Sequence, residues 1–212
     1  MTTLLDEPRP AAPPPDEPET AGDRPSRYRI DVREMSVLIE AGHLSGRVEL
    51  ADGSLIHMPS QGTPHRLSVT LSFIAFQRGW QWPRFVSVQG THKFTEHDAP
   101  EPDLCLLDRP PTTDAVIDEL PRLVVEISDS TLGTDLGRKK RDYARFGVPE
   151  YWVLDLRHRR LYVFRQPDTA ATEAADAWGE ERILNDGDTV TALCMPDTPI
   201  TVRELIEGPA AE

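Results

Sequence analysis

The chain has 212 residues, 38% hydrophobic and 28% charged, which is enough to bury one sizeable core and ordinary for a globular domain. It has no apolar run of roughly eighteen residues and no basic-then-apolar leader at its start, so it reads as a cytoplasmic protein with no membrane partner. The net charge of −13 excludes a uniformly basic nucleic-acid binder.

That charge is uneven. Residues 1–26 hold six acids, two arginines and the run Pro13-Pro14-Pro15. Such a stretch buries too little apolar surface to offset its ordering entropy. It is expected to be a disordered tail, with the folded domain spanning 27–208. Residues 168–181 hold five acids and no base and are expected to form a loop. Together the two stretches account for −9 of the charge, which leaves room for a local basic groove elsewhere. Cys105 and Cys194 are too few for a disulfide framework and read as reduced thiols.

Residues 31–41 predict a helix with Met35, Leu38 and Ile39 on one side, ended by Gly42. Arg47–Leu50 and Ser54–Met58 flank Ala51-Asp52-Gly53, a strong hairpin signal. Pro64 and His65 open a long helix in which Leu67, Leu71, Ile74 and Ala75 recur at helical spacing. Strands are expected at Phe85–Gln89, Thr91–Phe94 and Asp103–Leu107, and residues 121–128 form the most apolar one. A second helix follows over 131–146, closed by Gly147. Glu150–Asp155 and Leu161–Arg165 are two further strands, joined by the basic turn Arg157-His158-Arg159-Arg160. After the acidic loop come Arg182–Leu184, Thr189–Ala192 and a short terminal helix in TPITVRELIEGP. The order implies an α/β protein with a mixed sheet flanked by helices.

Three charges sit awkwardly in this pattern. Asp103 opens the apolar run Leu104-Cys105-Leu106-Leu107, and Glu126 interrupts Leu123-Val124-Val125-Glu126-Ile127. A carboxylate inside an apolar strand is costly unless something neutralises it. Alternation puts Val124, Glu126 and Ser128 on one face, and if the two strands pair, Asp103 lies beside Glu126. Two adjacent carboxylates raise one another's pKa unless a cation lies between them. An oxygen-only ligand set suits Mg²⁺ or Mn²⁺. On that reasoning Asp103→Asn relieves repulsion and melts no lower than the parent without metal. Lys139 lies near the middle of the apolar stripe Leu132, Leu136, Tyr143, Phe146, with Lys140 toward its margin, so Lys139 is expected to point at the acids. The bland alternative is an ion pair with Asp135 at i,i+4.

The stretches VELADGSLIHMPSQGTPH, EPDLCLLD, RLVVEISDST, DLGRKKRDYARFGVPEYWVLD and TPITVRELI, in this order and spacing, resemble the Uma2 family. Uma2 proteins are restriction-endonuclease-like members of the PD-(D/E)xK superfamily, and the resemblance runs from about Tyr28 to Ile206. It implies a restriction-endonuclease-like mixed β-sheet with Pro102-Asp103 as the PD and Glu126 as the second acid. The position two residues after that acid is Ser128, so the superfamily lysine is displaced to the following helix, onto Lys139 or its neighbour Lys140. The resemblance also implies Mg²⁺ or Mn²⁺ held by Asp103, Glu126 and the Ile127 carbonyl. It gives Glu49 a role as a third carboxylate, and His65 one as hydrogen-bond partner of a carboxylate or phosphate. Tyr143, Tyr151 and Trp152 match the family pattern and read mainly as packing.

The implied activity is metal-dependent hydrolysis of phosphodiester bonds in nucleic acid, with DNA favoured over RNA and a homodimer left open. Arg138, Lys139, Lys140, Arg141 and Arg145, with Arg157, Arg159 and Arg160, are the expected phosphate contacts. The alternatives are a non-catalytic nuclease-fold protein that binds DNA or a protein partner, and an interaction protein that uses its acidic loop.

Overall fold

The computed structural model describes residues 27–112 and 116–209. The expected disordered tail, residues 1–26, lies outside the described residues. Helix α1 (Val32–Glu40) starts at Asp31, whose carboxylate accepts from Glu34 N while the Glu34 side chain returns the bond. It buries Val32 and Met35, whereas Ile39 is exposed. Strands β1 (Val48–Ala51) and β2 (Ser54–His57) form the expected hairpin. Asp52 and Gly53 both take positive φ, 48° and 69°, as a tight two-residue turn requires.

The main sheet has six strands: β3 (Phe85–Val88), β4 (Leu104–Leu107), β5 (Leu123–Ser128), β6 (Glu150–Asp155), β7 (Arg160–Pro167) and β8 (Trp178–Asn185), in that order across the sheet. Only β5 and β6 run parallel; every other pair in it is antiparallel. Parallel strands need a crossover. Here it is a helical segment made of α3 (Leu132–Thr134), a π-helical turn (Asp135–Lys139) and α4 (Lys140–Arg145). A minor pair, β9 (Thr189–Val190) and β10 (Ile200–Thr201), precedes α5 (Val202–Glu207).

Strands β4, β5 and β6 are buried along their whole length, as expected for strands covered on both faces. One face carries Leu104, Leu106, Val125, Ile127 and Trp152 and packs with Val69, Phe76 and Leu205 of α2 (Thr63–Gln77) and α5. The other carries Cys105, Leu107, Val124, Tyr151 and Val153 and packs with Tyr143 and Ala144 of α4. Among the described residues no helix is long and apolar enough to cross a membrane.

Four expectations are corrected. Thr91–Phe94 is not a strand: His92 makes only an isolated bridge to Ile117. The acidic loop is shorter than expected, because Glu180 and Glu181 belong to β8, where Arg165 and Lys140 pair with them. Thr189–Ala192 shortens to Thr189–Val190. The fourth concerns α2, which turns a different face inward: Leu67 and Ile74 are 53% and 47% exposed, while His65, Ser68, Ser72, Ala75 and Phe76 are buried. Small residues let α2 approach α5, with Ser68 Oγ donating to the Leu205 carbonyl at 2.7 Å, and His65 is anchored to Asp103 at the opposite end. Those two contacts fix the rotation, which apolar periodicity alone does not.

Candidate active site

The site lies where β4 begins and β5 ends. The pairing Leu104↔Val125 carries Asp103, one residue before β4, opposite Glu126. Alternation puts Asp103 on the face of Cys105 and Leu107, and Glu126 on the face of Val124. That is one and the same face, the one under α4.

Asp103 is held by donors. Its Oδ2 accepts from the Ile127 backbone N–H at 2.8 Å and lies 3.0 Å from His65 Nε2; its Oδ1 accepts from Gln61 at 3.1 Å and Gln89 at 3.4 Å. Burial pushes this carboxyl up, but His65, the Ile127 N–H and Lys139 outweigh it and hold the pKa below its ordinary value. Asp103 is therefore satisfied as an anion. The geometry gives no reason to expect relief on Asp103→Asn, because Asp103 gathers four donors and the acid that burial pushes up is Glu126.

Glu126 accepts from Lys139 Nζ at 2.8 Å and from the Tyr143 hydroxyl at 2.7 Å. Even so, burial pushes its carboxyl up to about 8 against the pull of Lys139, with Asp103, Asp135 and Glu49 adding to the rise. Burial opposes the charge on Lys139, but Glu126, Glu49 and Asp135 outweigh it and hold its pKa above the ordinary value. Lys139 therefore stays an ammonium, and Glu126 carries the proton that can be exchanged.

Lys139 also donates to Glu49 Oε1 at 2.9 Å, and Arg138 lies 3.5 Å from Glu49 Oε2. Glu49 is thus buried and held by two cations on the far side of Lys139, not drawn in beside Asp103. The π-helical turn explains how two successive lysines can both be buried: Lys139 turns to the acids, whereas Lys140 turns to Glu181 and the ring of Phe164. This selects Lys139 over Lys140 as the lysine at the site.

Asp135, Lys139 and Tyr143 recur every fourth residue, and all three are buried. Asp135 lines the same cleft and accepts from Thr131 at 2.6 Å; its carboxyl is raised, chiefly by burial. Sequence reasoning treated Asp135 only as a possible ion-pair partner and Tyr143 as packing. The four-residue spacing on either side of Lys139 was the available signal for both. Gln61 and Gln89 carried no signal of their own. Tyr151 and Trp152 do pack, and their polar atoms reach the Asp135 carbonyl and the Glu150 carboxylate.

The cleft has a volume of about 40 Å³ and is lined by Arg47, Gln61, His65, Asp103, Glu126 and Asp135, among others. Once Glu126 gives up its proton, four carboxylates (Asp103, Glu126, Glu49, Asp135) face Lys139 and Arg138, a surplus of negative charge that favours a divalent cation. Among the described residues no three Asp, Glu, His or Cys side chains converge as a ready-made cage. Mg²⁺ does not require one, since it usually keeps several waters and takes one or two carboxylates. Both donors to Glu126 fall on Oε1, which leaves Oε2 without a hydrogen bond among the described residues. Ile127 lines the cleft, and a strand residue's N–H and C=O point the same way, so its carbonyl faces the Asp103 side. These oxygens fit a hard divalent ion.

A mixed sheet with two acids on neighbouring strands and a lysine from the crossover helix defines a nuclease-like α/β fold. The chain belongs to the Uma2 family, whose model, described as "Putative restriction endonuclease", matches residues 37–203. A solved structure from Anabaena variabilis ATCC 29413, described as a putative nuclease belonging to DUF820, shares the fold with a TM-score of 0.62. Its sequence is 14% identical, and the match covers 81% of this chain and 97% of that one. No curated protein matches the chain.

Proposed function

We propose that the protein is a metal-dependent endonuclease that hydrolyses phosphodiester bonds of DNA at the Asp103–Glu126–Lys139 site, acting in the cytoplasm, where its two free thiols stay reduced. The observation that carries this reading is the Lys139 ammonium, buried and bonded to Glu126 on the strand beside Asp103. Asp103, Glu126 and the Ile127 carbonyl would hold Mg²⁺ or Mn²⁺, which supplies Lewis acidity toward water and phosphate. His65 and the Ile127 N–H fix the orientation of Asp103, and Tyr143 fixes Glu126. Lys139, when it releases Glu126, places a positive charge against the oxygens of a scissile phosphate.

A second reading is favoured by one observation: Glu49, Lys139 and Glu126 form an ion triad in which the ammonium is already taken up by the two acids. A non-catalytic nuclease fold that binds DNA or a protein partner would keep such a triad for stability. Incubation with supercoiled, linear and single-stranded DNA in Mg²⁺ or Mn²⁺ separates the two. The nuclease reading expects cleavage by the wild type and none by Asp103→Asn. Equal cleavage by both would mean that the activity comes from a contaminant and that the site is not catalytic.

A further inference from the structure

We propose that duplex DNA lays its phosphate backbone along an arginine-lined groove that continues from the cleft down the crossover helix. The proposal rests on the nuclease reading of the cleft and assigns it a binding track. Thr131 and Asp135 line the cleft, Arg138 and Lys139 follow, and Arg141, Asp142 and Arg145 line the groove beyond. From Asp135 to Arg145 the helix rises about 15 Å at roughly 1.5 Å per residue. Projected on the duplex axis, that length corresponds to about four phosphates of one strand, at roughly 3.4 Å of axis each.

The groove has a volume of about 980 Å³, at the upper end of the roughly 300–1,000 Å³ of a small-molecule pocket. Its walls bring together Arg27, Arg29, Arg138, Arg141 and Arg145 against Asp52, Asp98 and Asp142. On a chain of net charge −13 this is a concentrated positive patch. Arg138, Arg141 and Arg145 are spaced three and four residues apart, so one helix face presents all three. Among the described residues Arg145 has no ion-pair partner and Arg27 bonds only the Ser54 hydroxyl, so both forks are offered to phosphate oxygens. Of the other groove arginines, Arg138 and Arg141 share Asp142 and Arg29 pairs with Asp52, while in the basic turn Arg159 is held by Asp186 and Glu207 and Arg157 by Asp129.

The test is fluorescence anisotropy of a labelled DNA duplex, without divalent metal, over a range of salt. Wild type is compared with Arg141→Gln/Arg145→Gln, with the stronger Arg141→Glu/Arg145→Glu, and with Arg157→Glu/Arg160→Glu as a charge-matched control at two exposed arginines. Both groove pairs should weaken binding at least tenfold. The Gln pair should also lower the slope of log affinity against log salt by about two. The control should stay within twofold of wild type. Groove variants that bind like wild type, a control that loses as much as they do, or a wild type with no duplex affinity each overturn the proposal. Cleavage in Mg²⁺ is measured separately. Cleavage by the wild type with unaffected groove variants removes the track and leaves the nuclease. Groove-dependent binding with no cleavage removes the nuclease and leaves the track.

Discussion

The backbone N–H of Ile127 donates to Asp103 Oδ2 at 2.8 Å, just past the last paired residues of β4 and β5, Leu104 and Val125. The carboxylate takes over where the ladder between the strands ends. The first acid of the site is thereby locked to the strand that carries the second, and a shift of β4 against β5 would break both the pairing and the acid pair.

Because Asp103 is better satisfied folded than unfolded, its charge stabilises the protein. Its carboxyl is held below the ordinary 3.8, so the contribution is present above that pH and is lost as pH falls through the folded pKa. Asp103→Asn at neutral pH should cost about 1–3 kcal/mol, the usual worth of hydrogen bonds to a charged group, or roughly 3–10 °C in Tm. It should also abolish any Tm gain from Mn²⁺. Thermal melts with and without metal check both, and an undiminished metal-induced gain would place the cation elsewhere.

Glu126 sets a pH dependence of the opposite sign. Its carboxyl rises from an ordinary 4.5 to about 8, so between these values the folded chain holds a proton that the unfolded chain has lost. Its contribution to stability is therefore full below 4.5 and declines as pH rises through about 8. A divalent ion needs the carboxylate, so binding expels that proton. Mn²⁺ affinity should climb by up to about tenfold per pH unit below 8 and level off above it. Calorimetric titrations at pH 6, 7, 8 and 9 measure this, and a flat profile would mean that Glu126 is not a ligand.

Removing Lys139 strands two buried acids. Lys139→Ala should cost about 3–5 kcal/mol, as expected for breaking a buried ion pair from one side, and lower Tm by roughly 6–20 °C. Divalent metal should recover part of the loss, because the vacated ammonium position lies between Glu49 and Glu126. Melts with increasing Mn²⁺ test this. A small loss unaffected by metal would show that the triad contributes little.

Tyr143→Phe removes one donor to Glu126 and keeps the packing of the ring against Tyr151 and Phe94. Stability should fall by about 1–2 kcal/mol. With one donor fewer, the pH at which Mn²⁺ binding levels off should move upward. A variant with lower stability but an unshifted binding profile would assign the hydroxyl a purely structural role.

The sequence by itself determined most of the elements and marked three charges that sit awkwardly in apolar segments. Strand alternation, the Asp-Gly turn and the apolar stripe of the crossover helix are local, and acids embedded in apolar strands advertise a cation wherever they are buried. Those signals make Asp103, Glu126 and Lys139 candidates, and the structure brings the three side chains to one face of the sheet. What the chain order could not hold is which donor answers which acceptor. The pairing of Lys139 with Glu49, 90 residues away, depends on how the hairpin seats on the sheet. The rotation of α2 depends on His65 meeting Asp103 and on the close approach of Ser68 to Leu205. Which acid is strained was likewise decided only in three dimensions. Asp103 and Glu126 are equally buried, but Asp103 gathers four donors and Glu126 two, so in the same low-dielectric interior one is held as an anion and the other is pushed toward its protonated form.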